Sequence, residues 1–433
     1  MLIYTSKKTS RIQYIFQLIF KDIWSIDYEI TDNKEDFINS DQPKLNYSMQ
    51  QFDNELFVES HGLLLQTEIV DQELTFSKWD DLAIFFPSTN KSTLPFDIFS
   101  ASFYLVSRYE EYLPHFKDHY NRFKAQESIA YQNNFLQTPL VNLWAKKFQR
   151  IIELRYPDLL FPKKDFKYVS TVDIDNAYCF LEKGFSRNVA SFLKSIIQLD
   201  KETFIKRYNV LIGRHKDPYD TYNYQLNILK KYKLDFIYFI LLGNYGLNDK
   251  NVLVTSRKFK LLIKHLSDFA KIGLHPSFNS NSSNHLLKME QDRLVDITKS
   301  ELHNSKQHFL QLSLPTTYRN LIDLDIFNDY TMGYAELPGF RASICNSYIF
   351  YDLELEKSTS LRIHPFAIMD ATFRYYLNYT PQESLESMKN VIDQVKNVNG
   401  TLITVWHNET WSDYKEWKGW KLLFRDMVDY IHS

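Results

Sequence analysis

The stretch Tyr168-Val169-Ser170-Thr171-Val172-Asp173-Ile174-Asp175-Asn176 decides how this chain is read. Its β-branched residues Val169, Thr171 and Val172 predict a buried strand that runs into two carboxylates. Residues two apart on a strand share a face, so Asp173 and Asp175 are expected to project together from its end. Burying two carboxylates is costly unless a cation or hydrogen bonds compensate. Taken alone, an Asp-x-Asp reads more simply as a helix N-cap or a loop salt bridge. The ends of the later strands change that balance.

After Phe166 the pattern becomes strand, helix, strand, helix. Candidate strands are 167–174, 234–242, 271–275, 307–313, 327–333, 361–368 and 400–406, with helical patterns at about 188–206, 220–232, 255–270, 285–304 and 382–397. Strands alternating with helices imply parallel pairing. No glycine-rich turn follows the first strand, so a barrel fits better than an open nucleotide-binding sheet. In such barrels the reactive side chains stand at the C-terminal ends of the strands.

The strand ends carry chemistry. One strand ends in Asp173 and Asp175, one in His275-Pro276-Ser277-Phe278-Asn279, and the last in His407-Asn408-Glu409. A lone histidine is more simply a core or loop residue. Three strands delivering Asp, His and His to one end suit a metal held by carboxylate and imidazole, with a second carboxylate and imidazole left for proton transfer. Such a set supports hydrolysis of an acyl bond. Asp175 and His275 fit the metal, Asp173 the general base and His407 the general acid.

Residues 1–160 read as a separate α+β unit ahead of the 161–433 region. It holds an opening strand, an amphipathic helix near 10–24, strand-like runs at 55–59 and 81–87, and helices from Pro95 to Leu113 and from Asn142 to Arg155. The run Arg108-Tyr109-Glu110-Glu111-Tyr112 reads as a solvated helix end packing its aromatics. The net charge is −2, which leaves no basic footprint for nucleic acid. Two cysteines, Cys179 and Cys345, cannot build a disulfide framework or a cysteine-based zinc site. The run Tyr14–Phe20 is short and broken by Gln17, and no stretch reaches the ~18 apolar residues of a membrane span. A cytoplasmic protein without signal peptide or transmembrane helix is therefore expected.

The motifs Thr171-Val172-Asp173-Ile174-Asp175, Ile272-Gly273-Leu274-His275-Pro276 and Val405-Trp406-His407 resemble the three principal motifs of the polysaccharide deacetylases (NodB-homology domain). Further segments resemble a bacterial subgroup of that superfamily with a distinct N-terminal domain. These are Phe96–Leu105 with Arg108–Tyr112, Gln307–Leu310, Asp329–Glu336 and Gly339–Ala342, so the likeness spans nearly the whole chain. The resemblance implies an α/β fold with a distorted seven-stranded (β/α) barrel, preceded by a smaller α+β N-terminal domain. It also implies a divalent metal, usually zinc, and removal of acetyl groups from an N- or O-acylated carbohydrate or a sugar-containing precursor.

Three positions depart from the family pattern. Ile174 separates the two aspartates. Asn279 stands where a second histidine is usual, and its carbonyl is a weaker zinc ligand than imidazole. His215 and His308 are the other candidates for that role. The arginine that orients the catalytic carboxylate is matched by Lys306 or by Arg341, and lysine does not replace arginine at a bidentate site. The aromatic tail Trp406, Trp411, Tyr414, Trp417 and Trp420 reads first as packing, as do His364 and Asp370. The departures leave room for a catalytically silent barrel that binds a glycan or a protein. A glycosidase using two acids ranks below it, because such acids normally flank the bond from different strands.

Overall fold

The computed structural model describes residues 1–184, 187–189 and 197–433. The helix expected over 188–206 lies partly outside the described residues, and a helix occupies Lys201–Leu211.

The first part of the chain builds a four-stranded parallel sheet in the order β2-β1-β3-β4, from β1 (Leu2–Thr5), β2 (Glu29–Thr31), β3 (Lys44–Ser48) and β4 (Leu56–Glu59). The amphipathic segment expected near 10–24 is an α-helix over Ser10–Phe16, N-capped by Thr9, that continues as a π-helical stretch over Gln17–Ile23. A short antiparallel hairpin, β5 (Ser77–Trp79) and β6 (Leu82–Ile84), precedes the helix Ile98–Val106. Asp97 caps that helix by accepting from the amides of Phe99 and Ser100 at 3.0 Å. The helix Leu140–Arg155 closes this part.

The second part is a nine-stranded sheet. Its strands are β7 (Lys167–Ile174), β8 (Asp235–Leu241), β9 (Lys271–His275), β10 (Asn304–Ser305), β11 (Asn328–Asp329), β12 (Tyr348–Asp352), β13 (Lys357–Ile363), β14 (Ile368–Met369) and β15 (Thr401–His407). The order is β12-β13-β11-β10-β9-β8-β7-β15-β14, parallel throughout except for the β12–β13 hairpin. The central register is decisive for the site. Asp173 on β7 pairs with His407 on β15, and His275 on β9 pairs with Leu241 on β8.

Side-chain alternation divides the sheet into two faces. Val169, Ile237, Phe239, Ile403, Val405 and Phe366 form an inner apolar cluster, while Val172, Ile174, Tyr238, Leu274 and Trp406 face the main core. Following the inner face along β7 leads from Val169 through Thr171 to Asp173, from oil to charge. Gly273 is required on this face, because a Cβ there would stand 2.5 Å from the Phe239 ring.

The resemblance implies seven strands closed into a barrel; here nine strands pair, and the two edge strands of the sheet, β12 and β14, do not pair with each other among the described residues. The connection His364-Pro365-Phe366-Ala367 joins β13 to β14 without pairing as a strand, and Pro365 lacks an amide proton for a ladder. Single hydrogen bonds tie this connection to its neighbours, from the Phe366 amide to Met332 O beyond β11 and from the Ala367 amide to Ile403 O of β15, both at 3.1 Å. Phe366 plugs the interior against Gly333.

Two further expectations differ. The 307–313 segment is a turn, with His308–Leu310 in a 3₁₀ conformation and Phe309 and Leu310 at φ 58° and 55°. In the Arg108–Tyr112 run, Arg108, Tyr109, Glu110 and Glu111 are buried and Tyr112 is half-buried. Arg108 and Arg341 pair there with Glu110 and Glu111 between the two parts of the chain. One hydrophobic core runs through both parts and takes in the four tail tryptophans. Among the described residues, no helix is long and apolar enough to cross a membrane.

Candidate metal centre and active-site cleft

Every polar side chain at the heart of the site comes from the C-terminal end of a strand. Asp173 is on the last turn of pleat in β7 and Asp175 just beyond it. His275 ends β9, Lys306 and His308 follow β10, Asp370 follows β14, and His407 ends β15. Asp173, Asp175, His275, His308 and His407 line a cleft of about 300 Å³, with Lys306 and Asp370 buried behind them.

Asp175 is the hub. Its Oδ1 lies 3.0 Å from His275 Nε2, and its Oδ2 lies 3.5 Å from His308 Nε2 and 3.6 Å from His407 Nε2. The ligand atoms of Asp175, His275 and His308 all lie within 4.8 Å of one another. Ligands about 2.1 Å from a tetrahedral zinc stand about 3.4 Å apart, so the two closest spacings are those of a metal-binding triad.

The far nitrogens fix the tautomers. His275 Nδ1 is 2.6 Å from the Lys306 carbonyl, which can only accept, so this nitrogen carries the hydrogen. His308 Nδ1 is 2.8 Å from Asp249 Oδ1, with the same consequence. In the neutral rings both Nε2 lone pairs then point at the Asp175 carboxylate. Asp175 Oδ1 is buried and receives no hydrogen bond among the described residues. Lone pairs facing one another repel unless a cation or proton lies between them. The donor set therefore fits a divalent metal, with the carbonyl and Asp249 as outer supports.

Electrostatics agree with that geometry. Burial works against ionising Asp175, yet the His308 and His275 imidazoles hold its carboxyl well below the usual range. Burial also opposes a charged His308, but the Asp175 and Asp249 carboxylates push its imidazole up to about 9. The site is a trap for positive charge.

Asp173 sits one layer deeper. Lys306 Nζ donates to Asp173 Oδ1 at 2.8 Å and to Thr171 Oγ1 at 2.6 Å, and the ammonium lies 4.6 Å from the centroid of the Phe239 ring. Burial draws the Lys306 pKa down while Asp173 pulls it up, and burial prevails. Asp173 Oδ2 is left facing the cleft side, 4.0 Å from His275 Nε2.

His407 flanks the other side. Asp370 Oδ1 accepts from its Nδ1 at 2.7 Å, and Asp370 Oδ2 accepts from its amide at 2.8 Å. Thr410 Oγ1 donates to the same carboxylate. Burial disfavours the imidazolium, but Asp370, Asp175 and Asp173 raise its pKa well above the ordinary value.

The structure thus brings together Asp173, Asp175, His275, Lys306 and His407. It does not bring in Asn279, which is exposed on the 3₁₀ turn Asn279–Ser282 beside Gly246. It does not bring in Arg341 either, whose guanidinium is bound to Glu111 at 2.6–2.8 Å. Of the two other histidines, His215 is exposed and His308 lies at the hub.

Sequence reasoning missed Asp249, Tyr120 and Arg122. Asp249 carries no motif signal, because it lies in the loop beyond β8. Tyr120 and Arg122 reach the cleft from the first part of the chain. The left-handed pair Phe309–Leu310, which costs about 1–2 kcal/mol per residue, turns His308 toward the hub and has no glycine to announce it.

Residues 1–157 match a family of unknown function (DUF7033). No curated protein matches the sequence. Among solved structures, the chain is similar to a Mycobacterium smegmatis protein assigned as a polysaccharide deacetylase. The identity is 12% and the TM-score 0.41, over 63% of this chain and 86% of that one. It is also similar to the polysaccharide deacetylase Bc1974 of Bacillus cereus, at 10% identity and TM-score 0.30 over 62% and 88% of the two chains. A CE4 family pseudoenzyme from Bacillus anthracis is similar at 9% identity and TM-score 0.29, and the match spans 61% of each chain.

Proposed function

We propose that this chain is a metal-dependent hydrolase that removes an acetyl or related acyl group from an N- or O-acylated carbohydrate. The observation that carries the reading is the convergence of Asp175, His275 and His308 within 4.8 Å, with Asp173 and His407 on either side. Asp175, His275 and His308 would hold the ion. Nitrogen and carboxylate donors in this number suit zinc. When bound, the ion would supply a Lewis acid and an acidified water.

The chain's own residues perform the proton transfers in this reading. Asp173 takes a proton on Oδ2, its other oxygen being anchored by Lys306. His407 keeps its Nε2 proton for the departing nitrogen or oxygen, because Asp370 holds Nδ1 and favours the charged ring. The aromatic and apolar lining of the cleft, including Tyr120 and Tyr375, offers faces to a sugar ring and limits water. Residues 161–433 act as the catalytic domain, and residues 1–160 act as an accessory domain that walls the cleft.

The test is acetate release from acetylated chito-oligosaccharides and acetylated polysaccharides, with and without a chelator. Release that the chelator abolishes and zinc restores is expected. Saccharide binding without acetate release, by a protein that takes up no metal, would overturn the assignment in favour of a silent binding module.

A further inference from the structure

Residues 117–123 form a tight hairpin over the cleft. Lys117 and Phe123 make an antiparallel bridge, and the Asp118 amide donates to Arg122 O at 2.9 Å. Asp118 Oδ1 accepts from the amides of Tyr120 and Arg122 at 2.8 and 2.9 Å. The hairpin is therefore held by its own bonds.

Its reach is toward the turn that carries His308. Arg122 is buried, and each of its guanidinium nitrogens is committed. Nε donates to Asp118 Oδ2 at 2.7 Å, Nη1 to Phe309 O at 3.0 Å, and Nη2 to the Tyr376 hydroxyl at 3.0 Å. Gln311 Nε2 donates back to Tyr120 O at 3.0 Å. The Tyr120 and Phe309 rings pack with centroids 4.8 Å apart. The hairpin thus grips both sides of Phe309–Leu310, the left-handed pair directly after His308.

We propose that the 117–123 hairpin is a positioning element for the metal centre, in which Arg122 fixes the His308 imidazole by holding the Phe309 carbonyl. This rests on the metal-site reading of Asp175, His275 and His308. Two consecutive non-glycine residues stay left-handed only where their surroundings over-determine them. Asp249 fixes the rotation of the His308 ring, but it does not hold the backbone behind the ring. Releasing Phe309 O lets that peptide turn and carries Nε2 away from Asp175. Arg122 does not touch reacting atoms in this account. The first part of the chain sets metal affinity from outside the ligand shell.

The experiment titrates cobalt(II) into metal-stripped full-length protein and follows its visible ligand-field bands. Wild type, Arg122→Ala, Arg122→Lys and Gln311→Ala are compared, with folding checked by circular dichroism. Arg122→Ala is expected to weaken cobalt binding about 10–100-fold and to alter the bands, as loss of an outer support does. Arg122→Lys keeps the charge without the three-way grip and is expected to lose nearly as much. Gln311→Ala is expected to lose less, in the same direction, and it carries the test with Arg122→Lys if Arg122→Ala does not fold. Folded variants with wild-type affinity and bands, whatever their melting temperatures, would overturn the proposal. A wild type that binds no cobalt would instead overturn the metal-site reading, and the positioning role would fall with it.

Discussion

Nε2 of His308 lies 3.5 Å from Oδ2 of Asp175, and its ring is held there by Asp249 at Nδ1. Asn279 is exposed on a neighbouring turn. His308→Ala is therefore expected to lose the metal, as is His275→Ala, while Asn279→Ala retains about one ion per chain. Metal analysis of the purified proteins decides it. An Asn279→Ala variant that binds no metal would return that residue to the ligand set.

Asp173 and Lys306 form a buried pair beneath the hub, 2.8 Å apart. Replacing the carboxylate removes a proton acceptor without touching the three ligand atoms. Asp173→Asn is expected to retain metal and to lose about 10²–10⁴-fold in acetate release. Lys306→Met keeps the length of the side chain and leaves Asp173 Oδ1 and the Thr171 hydroxyl without their donor. It is expected to lower turnover while metal content stays near wild type. Equal loss of metal and activity in Asp173→Asn would make Asp173 a ligand and not a base.

Much of this site was legible because strand chemistry is local. The run Val169–Ile174 predicts its own strand, alternation puts Thr171 and Asp173 on one face, and strand ends point to His275 and His407. Lys306 was legible only through resemblance, since one lysine after a polar strand carries no pattern. His308 was visible as a histidine but could not be placed. Its position depends on Phe309 and Leu310 adopting left-handed backbone that their side chains disfavour, and on a distant hairpin whose Arg122 lies 187 residues before Phe309. The open edge between β12 and β14 was likewise hidden. Pro365 and the Phe366 plug act through tertiary packing, and β12 with β13 reads poorly as a hairpin because a four-residue turn of mixed polarity joins the strands.

Gly273 faces the Phe239 ring inside the sheet, with 2.5 Å between the ring and an added Cβ. The ring is also the floor beneath Lys306. Gly273→Ala is expected to destabilise the protein by about 1–3 kcal/mol through overpacking. Combining it with Phe239→Leu should recover part of that loss, since the clash is with the aromatic edge. Denaturant midpoints for the single and double variants measure the coupling. Additive effects would show that the two residues do not meet in this way.

Glu111 accepts two bonds from Arg341, at 2.8 and 2.6 Å, and a third from Arg108 at 2.7 Å. The cluster is buried between the two parts of the chain. Burial raises the cost of the Glu111 charge, but Arg341 and Arg108 outweigh it and hold the carboxyl at about 2. An unfolded glutamate titrates near 4.3, so the unfolded chain binds the extra proton between those values. The contribution is complete above the unfolded pKa and is lost as pH falls toward 2, and it amounts to about 3 kcal/mol. Glu111→Gln is expected to lose about 3–5 kcal/mol at neutral pH, because it leaves Arg341 buried without its carboxylate. Its stability should then fall less steeply than wild type between pH 5 and 2. Denaturant midpoints of both proteins across that range give the difference curve. Parallel acid limbs would show that Glu111 titrates alike in the folded and unfolded chain, and that the Arg341 pair adds nothing to stability in acid.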